Sequence, residues 1–321
     1  MTGTKSKILA LAGGVGGAKL AFGLAHTLPS EELTVAVNTA DDFEHLGLSI
    51  SPDLDTVMYT LAGVSNPETG WGRRDESWRV MAARGQLGGE TWFRLGDKDL
   101  ATHIERTRRL KGGEKLSSIT RDLAQRLGVK PALVPMTDDS VRTIVTTDKG
   151  DLAFQDWFVR LRCEPAVRAT RFAGAAMAKA HPALLDMTDL RGVIICPSNP
   201  FVSVAPILAV PGVRAALERT RAPRVAVTPI VGGQAIKGPA AKMLADFGHE
   251  VSALGVARHY KGLIDGFVLD RTDSALEKPI SALGVKVLVA DTMMRDDWDK
   301  RLLAERVLDF VDELASPARH S

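Results

Sequence analysis

The stretch LALAGGVGGAKLAFGL (residues 9–24) decides the fold, because an apolar run ends in a cluster of glycines and a helical pattern follows. The run KILALAG (7–13) is typical of a strand buried on both faces of a parallel sheet. The segment GAKLAFGLAHTL (17–28) places its apolar residues at helical spacing. Glycines lose more backbone entropy on folding than other residues, so a turn this rich in them indicates a backbone that must approach something closely.

The same alternation of strand and helix continues outward from this turn. ELTVAVNTA (32–40) reads as a second strand and LDTVMYTLAG (54–63) as a second helix. Further strands are predicted at 192–200, 224–233, 266–270 and 285–291, with helices at 239–247 and about 298–315. This pattern predicts an α/β fold, a Rossmann-like three-layer parallel sheet built from residues 1–63 and 185–321.

Residues 64–184 interrupt this alternation. Helical patterns at 99–111 and 116–127 are followed by a predicted β-hairpin at 141–157, which turns at Asp148-Lys149-Gly150. We therefore predict that residues 64–184 form a mostly helical inserted subdomain.

Composition excludes several classes of protein. The chain has 321 residues, of which 45% are hydrophobic and 25% charged, and its net charge of +2 offers no electrostatic footprint for nucleic acid. No stretch approaches the roughly 20 apolar residues of a membrane span. Cys163 and Cys196 lack the spacing of metal ligands and do not suggest a disulfide framework. These features predict a soluble, cytoplasmic protein with no nucleic-acid or membrane partner.

The glycine turn is a candidate phosphate site, since glycine lets amide N–H groups come close and a helix N-terminus carries partial positive charge. The P-loop pattern fails here, because its second glycine and its magnesium-binding hydroxyl are missing. The dinucleotide fingerprint also fails, because Lys19 stands where its third glycine belongs. A tight turn without a ligand is the alternative. The candidate phosphate-binding residues in this turn are Gly13, Gly14, Gly16, Gly17 and Lys19.

Carboxylates follow the second strand and open the next helix. Asp41 and Asp42 come from NTADD (38–42), and two more aspartates stand in PDLDT (52–56). The carboxyl ends of neighbouring parallel strands meet at one edge of a sheet, so we expect these groups to lie beside the glycine turn. Clustered carboxylate oxygens beside a phosphate suit Mg²⁺. Each aspartate taken alone is better explained by local structure: Asp53 and Asp55 would offset the helix dipole, and the pair after the strand would form turns. For the group beside the glycine turn, a metal or catalytic role is favoured.

Three other stretches have both a ligand-binding and a purely structural interpretation. Ser198 and Asn199, in CPSNPFVSVAPIL (196–208), either bind phosphate or cap a helix. Arg94 lies in a tryptophan-rich region that suits a flat conjugated ligand or a small satellite core. Met136 either contacts such a ring or fills the core. His103 is expected on a helix surface.

Taken together, the motifs resemble the CofD family, the transferases of coenzyme F420 biosynthesis. The resemblance covers nearly the whole chain, and eight motifs in family order are more specific than any one of them. The motifs are GGVGGAKL (13–20), NTADD (38–42), SPDLDTVMYTLAG (51–63), GWGRRDESW (70–78), LGDKDLATH (95–103), PMTDDSVRT (135–143), CPSNPFVSVAPIL (196–208) and GGQAIKGPAAKML (232–244).

The resemblance implies a Mg²⁺-dependent reaction and usually a homodimer. A guanosine diphospho-linked three-carbon acid, which is lactyl, enolpyruvyl or phosphoglyceryl, would donate its phospho-acid to the terminal ribityl hydroxyl of the deazaflavin Fo, and GMP would leave. The inserted subdomain would form the acceptor site. Matching the family motifs assigns Asp42 and Asp55 to catalysis and Mg²⁺, and Asp41, Asp55, Arg94 and Met136 to Fo.

Two other functions remain open at this point. A YvcK-like regulator, from a divergent branch of the same fold, would bind a nucleotide sugar without transferase activity. A nicotinamide oxidoreductase would use a similar fold, although the missing third glycine argues against it.

Overall fold

The computed structural model describes residues 7–316, so the outermost ends of the two predicted core segments, 1–6 and 317–321, lie outside it. The strands are β1 Lys7–Ala12, β2 Leu33–Val37, β3 Phe43–His45, β4 Leu48–Ile50, β5 Ala132–Pro135, β6 Arg142–Thr147, β7 Gly150–Ala153, β8 Val167–Ala173, β9 Leu190–Ile195, β10 Arg224–Val227, β11 Ile230–Val231, β12 Gln234–Ala235, β13 Gly266–Asp270 and β14 Lys286–Ala290. The α-helices are α1 Gly14–Thr27, α2 Pro52–Leu61, α3 Arg79–Gln86, α4 Asp97–Lys111, α5 Leu116–Arg126, α6 Ala205–Ala209, α7 Val213–Arg219, α8 Ala240–Asp246, α9 Ala253–His259, α10 Glu277–Ser281 and α11 Asp297–Ala315.

The main sheet has seven strands in the order β14-β13-β10-β9-β1-β2-β5, and neighbouring strands are parallel. The chain moves outward in one direction through β1, β2 and β5, and in the other through β9, β10, β13 and β14. This confirms the predicted Rossmann-like α/β fold. The order of strands reverses between β1 and β9, and open sheets of this kind bind ligands in the crevice at that point.

Strand β1 shows how the sheet separates two hydrophobic cores. Its side chains alternate between the two faces, as the period of a strand requires. Ile8 and Ala10 pack in the cluster under α1, α2 and α11, whereas Leu9 and Leu11 pack in the cluster under α7, α8 and α9. Both faces are therefore covered by helices, and this produces the three layers.

The inserted segment is less helical than the sequence suggests. Helices α4 and α5 appear where they were predicted, and the predicted hairpin appears as β6 and β7. However, β8 joins this hairpin in a three-stranded antiparallel sheet, and β5 pairs with β2 at the edge of the main sheet. β5 has only four residues and ends in a proline, so it lacks the length of a readable strand. The division into two domains stays a prediction, although the segment contributes a strand to the core.

Among residues 7–316, no single helix has both the length and the apolar composition of a span. One pair, Pro200–Ala209 with Val213–Arg219, meets the two criteria together but bends by 88°.

Candidate functional site

A cavity of about 560 Å³ opens at the switch point of the sheet. Its walls come from the turn after β1, the loops after β2 and β9, helices α2 and α4, and the aromatic residues of the inserted segment. Most of the sequence-predicted site residues lie on this wall, namely Gly13, Gly14, Gly16, Asp41, Asp55, Arg94, Ser198 and Asn199.

The turn after β1 needs glycines because neighbouring loops pack directly against its backbone. Gly14 begins α1 with φ +61°, a left-handed conformation that favours glycine. Its amide donates to Oδ1 of Asp53 at 2.8 Å, and the Gly13 amide donates to Oγ of Ser198 at 3.0 Å. A Cβ on Gly16 would overlap the Pro197 carbonyl oxygen. The close approach of the protein's own loops therefore explains why glycines are needed at several positions of this turn.

We expect Gly16→Ala to destabilise the protein by roughly 1–3 kcal/mol, because the new methyl group must displace the loop after β9. Urea unfolding measures this change in free energy. Gly85→Ala in α3 is the matched control, since its Cβ would find its nearest neighbour at 3.7 Å. Equal stability of the two variants would contradict the packing argument.

Two of the predicted phosphate-binding residues do not reach this cavity. Gly17 packs against Ser198 and Ala12 behind the turn. The Lys19 ammonium donates to the carbonyl oxygen of Met294 at 2.6 Å and lines a separate cavity. Burial, followed by the nearby Lys300, lowers the pKa of Lys19. The helical turn between Gly14 and Lys19 carries this side chain around α1, so its assignment to the phosphate in this cavity was wrong.

The loop after β2 brings two buried carboxylates together. Asp41 lines the cavity, whereas Asp42 does not contribute to its wall. Ser51 donates its hydroxyl to Oδ2 of Asp42 at 2.7 Å. Within residues 7–316, Oδ1 of each aspartate is buried without a hydrogen-bond partner. Burial raises the pKa of Asp42 to about 8, and burial and then the charge of Asp53 raise the pKa of Asp41 well above its usual value.

This raised pKa predicts how stability depends on pH in metal-free protein. In the folded state Asp42 keeps a proton that the unfolded chain releases above pH 4, so stability falls as pH rises from about 4 to about 8. The loss is at most about 1.4 kcal/mol per pH unit. Unfolding with EDTA at several pH values measures it, with Asp42→Asn as reference. A difference between wild type and this variant that is constant with pH would contradict the prediction.

Asp55, the second predicted catalytic residue, is held by Arg106 of α4. Arg106 donates through Nη1 to Oδ2 of Asp55 at 2.9 Å and through Nη2 to Oδ1. Arg106 has 2% of its side chain exposed and Asp55 has 7%. The charge of Asp55 also contributes to the raised pKa of Asp42, so the two predicted metal ligands lie within electrostatic reach.

A chain of polar groups extends from this ion pair along α4. His103 lies 3.6 Å from Asp55 and 3.3 Å from Asp99, and Tyr59 donates its hydroxyl to Asp99 at 2.7 Å. Only 1% of His103 is exposed, so the sequence prediction of a surface histidine was wrong. Asp99, His103 and Arg106 are spaced i, i+4, i+7, which places them on one face of a helix. Sequence reasoning missed this set, and that spacing was the signal that could have found it.

Aromatic side chains line another part of the cavity, called here the aromatic wall. Phe154 and Phe158 stack with their ring centroids 5.3 Å apart, and Trp92 meets Phe93 edge to face at 5.7 Å. The Arg94 guanidinium lies 4.3 Å from the centroid of the Trp78 ring, which fixes it by a cation–π contact. Phe154 and Phe158 had not been identified from the sequence.

Met136 does not join this wall. Its side chain is fully buried in the core cluster that includes Phe154 and Trp157. The prediction that Met136 contacts a bound ring was therefore wrong, and its other interpretation, as a core residue, is confirmed.

The carboxylates of the loop after β2 suit a hard cation. Asp41 and Asp42 each present one unpartnered buried oxygen, and Mg²⁺ takes oxygen ligands. Asp55 also has oxygen donors, but Arg106 already neutralises its charge. By donor chemistry Asp41 and Asp42 therefore fit Mg²⁺. Asp55 stays a candidate as well, because its ligand oxygen lies within 4.8 Å of ligand atoms of Asp99 and His103.

Comparisons with known proteins agree on one family. A sequence model described as 2-phospho-L-lactate transferase CofD matches residues 8–300. A phosphoenolpyruvate transferase of Streptomyces griseus is 42% identical over 315 residues, which cover 96% of this chain and 99% of that protein. A 2-phospho-L-lactate transferase of Methanosarcina acetivorans is 39% identical over 306 residues, covering 95% and 99%.

A solved structure supports the same architecture. The crystal structure of a UPF0052-family protein from Bacillus halodurans superposes with a TM-score of 0.62 at 16% identity, covering 94% of this chain and 99% of that one. At this level of identity the likeness concerns the fold alone.

Proposed function

Because the chain belongs to the CofD family, we propose that it transfers a phospho-three-carbon acid from a guanosine diphospho-linked donor to the ribityl hydroxyl of Fo in coenzyme F420 biosynthesis. The transferred group is 2-phospholactate, phosphoenolpyruvate or a 3-phosphoglycerate moiety. The proposal includes Mg²⁺ as the cofactor and a homodimeric assembly, as the family resemblance implies.

One observation carries the proposal: a single cavity joins a glycine turn, a group of buried carboxylates and an aromatic wall. The reaction needs all three. A diphosphate requires amide donors, the transferred charge requires neutralisation, and a deazaflavin requires a flat apolar surface. About 560 Å³ is within the usual range of small-molecule sites.

In the proposed step, the ribityl hydroxyl attacks the phosphorus that bears the acid. A new oxygen–phosphorus bond forms, the bond from that phosphorus to the bridging oxygen breaks, and GMP leaves with the electron pair. The hydroxyl proton passes to a carboxylate near the acceptor, for which Asp41 is suited because it lines the cavity and has a buried oxygen without a hydrogen-bond partner. Positioning supplies most of the catalysis in reactions of this kind.

Other residues of the chain have separate roles in binding the donor, the acceptor and the metal ion. Gly16 borders the cavity at the start of α1, where unsatisfied helical amides favour an anion, and Ser198 and Asn199 face the same space. Arg94 and the aromatic wall orient the acceptor ring and exclude water. Asp42, together with Asp55, would hold Mg²⁺, which supplies charge neutralisation at the diphosphate when it is bound.

Mass spectrometry of the product tests this proposal. Purified protein receives Fo and Mg²⁺ with each guanylated acid in turn, and we expect an Fo derivative heavier by one phospho-acid together with stoichiometric GMP. Binding of a nucleotide sugar without any turnover of Fo would instead favour the YvcK-like regulator. NADH, added in parallel, is expected to cause no change in fluorescence.

A further inference from the structure

Two buried polar side chains, Asn38 and Asp53, connect the segments that build the cavity. Asn38 is fully buried after β2, and Asp53 lies in the first turn of α2 with 8% of its surface exposed. The Asn38 amide donates from Nδ2 to Oδ2 of Asp53 at 3.0 Å. Sequence reasoning treated Asp53 as a helix-dipole residue, but its carboxylate reaches across to two other loops.

Asn38 joins the loops after β2 and β9. Its Oδ1 accepts from the Ala40 amide at 2.9 Å, which bends the chain immediately before Asp41 and Asp42. Its Nδ2 donates also to the carbonyl oxygen of Val202 at 3.2 Å, in the helical turn that follows Ser198 and Asn199. One side chain therefore sets the direction of both loops.

Asp53 joins the glycine turn to α2. Its Oδ1 accepts from the Gly14 amide at 2.8 Å, and the Ser203 hydroxyl also donates to its carboxylate. Gly13 lies so close that an added Cβ would come within 2.5 Å of Oδ2 of Asp53 and 2.7 Å of Cβ of Ser203. Asp55 extends from the same helical turn, two residues further along the chain.

We propose that Asn38 and Asp53 form a positioning pair that holds the glycine turn, the loop after β2 and the loop after β9 in one fixed arrangement around the cavity. This inference rests on the proposed function for its kinetic consequence. Asp53 also lines the cavity, but neither residue needs to touch a substrate for the pair to act. The pair places the backbone amides, Asp41, Asp42 and Asp55 relative to one another.

The arrangement of hydrogen-bond donors and acceptors in the pair determines which side chain can stand at position 53. Both partners that contact Asp53 in the pair, the Gly14 amide and the Asn38 amide group, are donors, so the side chain at position 53 must present two acceptor oxygens. An asparagine at this position would present one oxygen and one N–H₂ group, and two donors would then face each other. One hydrogen bond must break, and at least one loop must shift.

Asp53→Asn is the first test. We expect kcat to fall about 100-fold, because misplacement by about 1 Å has this effect on oriented reactions. The KM for Fo should stay within about threefold, since the aromatic wall is untouched. Asp309→Asn on the exposed face of α11 is the matched control for loss of one carboxylate, and it should behave as wild type.

The exchanged pair Asn38→Asp with Asp53→Asn is the second test. In this variant the new amide accepts from Gly14 and donates to the new carboxylate, so the sequence of donors and acceptors is restored with no change in net charge. The Val202 carbonyl loses its donor and faces a carboxylate oxygen instead, so we expect only partial recovery of kcat, by about tenfold over Asp53→Asn alone. A merely structural requirement for a carboxylate at position 53 would show no recovery.

Hydrogen exchange separates this inference from the proposed function, because it needs no substrate. Mass spectrometry of peptides spanning residues 9–17 should show about tenfold faster amide exchange in Asp53→Asn and renewed protection in the exchanged pair. Wild-type exchange in Asp53→Asn would overturn the positioning pair whatever the enzyme transfers. If Asp53→Asn does not fold, the exchanged pair decides: a folded, protected protein supports the inference, and an unfolded one overturns it.

Discussion

Asp42→Asn is expected to lower kcat by about 10²- to 10³-fold, the effect typical of removing one preorganised electrostatic group from an active site. The substitution keeps the size of the side chain. Its remaining oxygen can still accept from the Ser51 hydroxyl, which now bonds to Oδ2 at 2.7 Å. The variant loses the negative charge that we propose Mg²⁺ requires. Steady-state assays of GMP release at saturating Fo, donor and Mg²⁺ measure this effect.

The stability of Asp42→Asn separates a loss of catalysis from a loss of folding. Burial raises the pKa of Asp42 to about 8, so removing the ionisable group should leave the metal-free protein as stable as wild type or more stable near pH 8. A variant that is folded, at least as stable and nearly inactive cannot be explained by damage to the fold. Activity within about threefold of wild type would remove Asp42 from the proposed catalytic group. Asp309→Asn again serves as control.

Arg106→Met is expected to lower the free energy of unfolding by about 3–5 kcal/mol, because it leaves the Asp55 carboxylate buried without its partner. Arg106 makes two hydrogen bonds to Asp55, and both side chains are almost completely buried. Methionine fills much of the same space but donates no hydrogen bond. Urea unfolding at pH 7 measures the loss.

Arg108→Met provides the matched control on the same helix. Arg108 pairs with Glu105 at 2.8 Å, but 68% of its side chain is exposed, so its loss should change stability by less than about 0.5 kcal/mol. Comparable effects of the two substitutions would show that Arg106 does not carry a buried ion pair.

The double variant Asp55→Asn with Arg106→Met separates the structural role of Asp55 from its predicted chemical role. Removing both charges together should recover most of the lost stability, because no buried charge is then left alone. If Asp55 also takes part in proton transfer or binds Mg²⁺, turnover will not recover with it. Recovery of both stability and turnover would limit Asp55 to a structural role.

The sequence predicts most strands of the core directly, but it predicts the strands of the inserted segment poorly. β1, β2, β9, β13 and β14 lie in apolar runs of the sequence, and such local signals need no distant partner. β5 and β8 carry weaker signals: β5 is four residues long, and β8 has three exposed residues of seven and contains two arginines. They become strands because β2 and β6 offer them edges to pair with.

The amino-acid sequence by itself determined that carboxylates and a glycine turn meet at the sheet edge, because parallel strands end on the same side and the motifs stand directly after them. Only the tertiary structure decided the partner of each group. Gly13 forms a hydrogen bond with Ser198, which lies 185 residues further along the chain, and Asp55 forms one with Arg106, which lies 51 residues further along. Lys19, predicted beside the phosphate, turns instead to Met294. The direction of a buried polar side chain depends on which distant donor or acceptor packing brings within about 3 Å, and spacing along the chain does not contain that information.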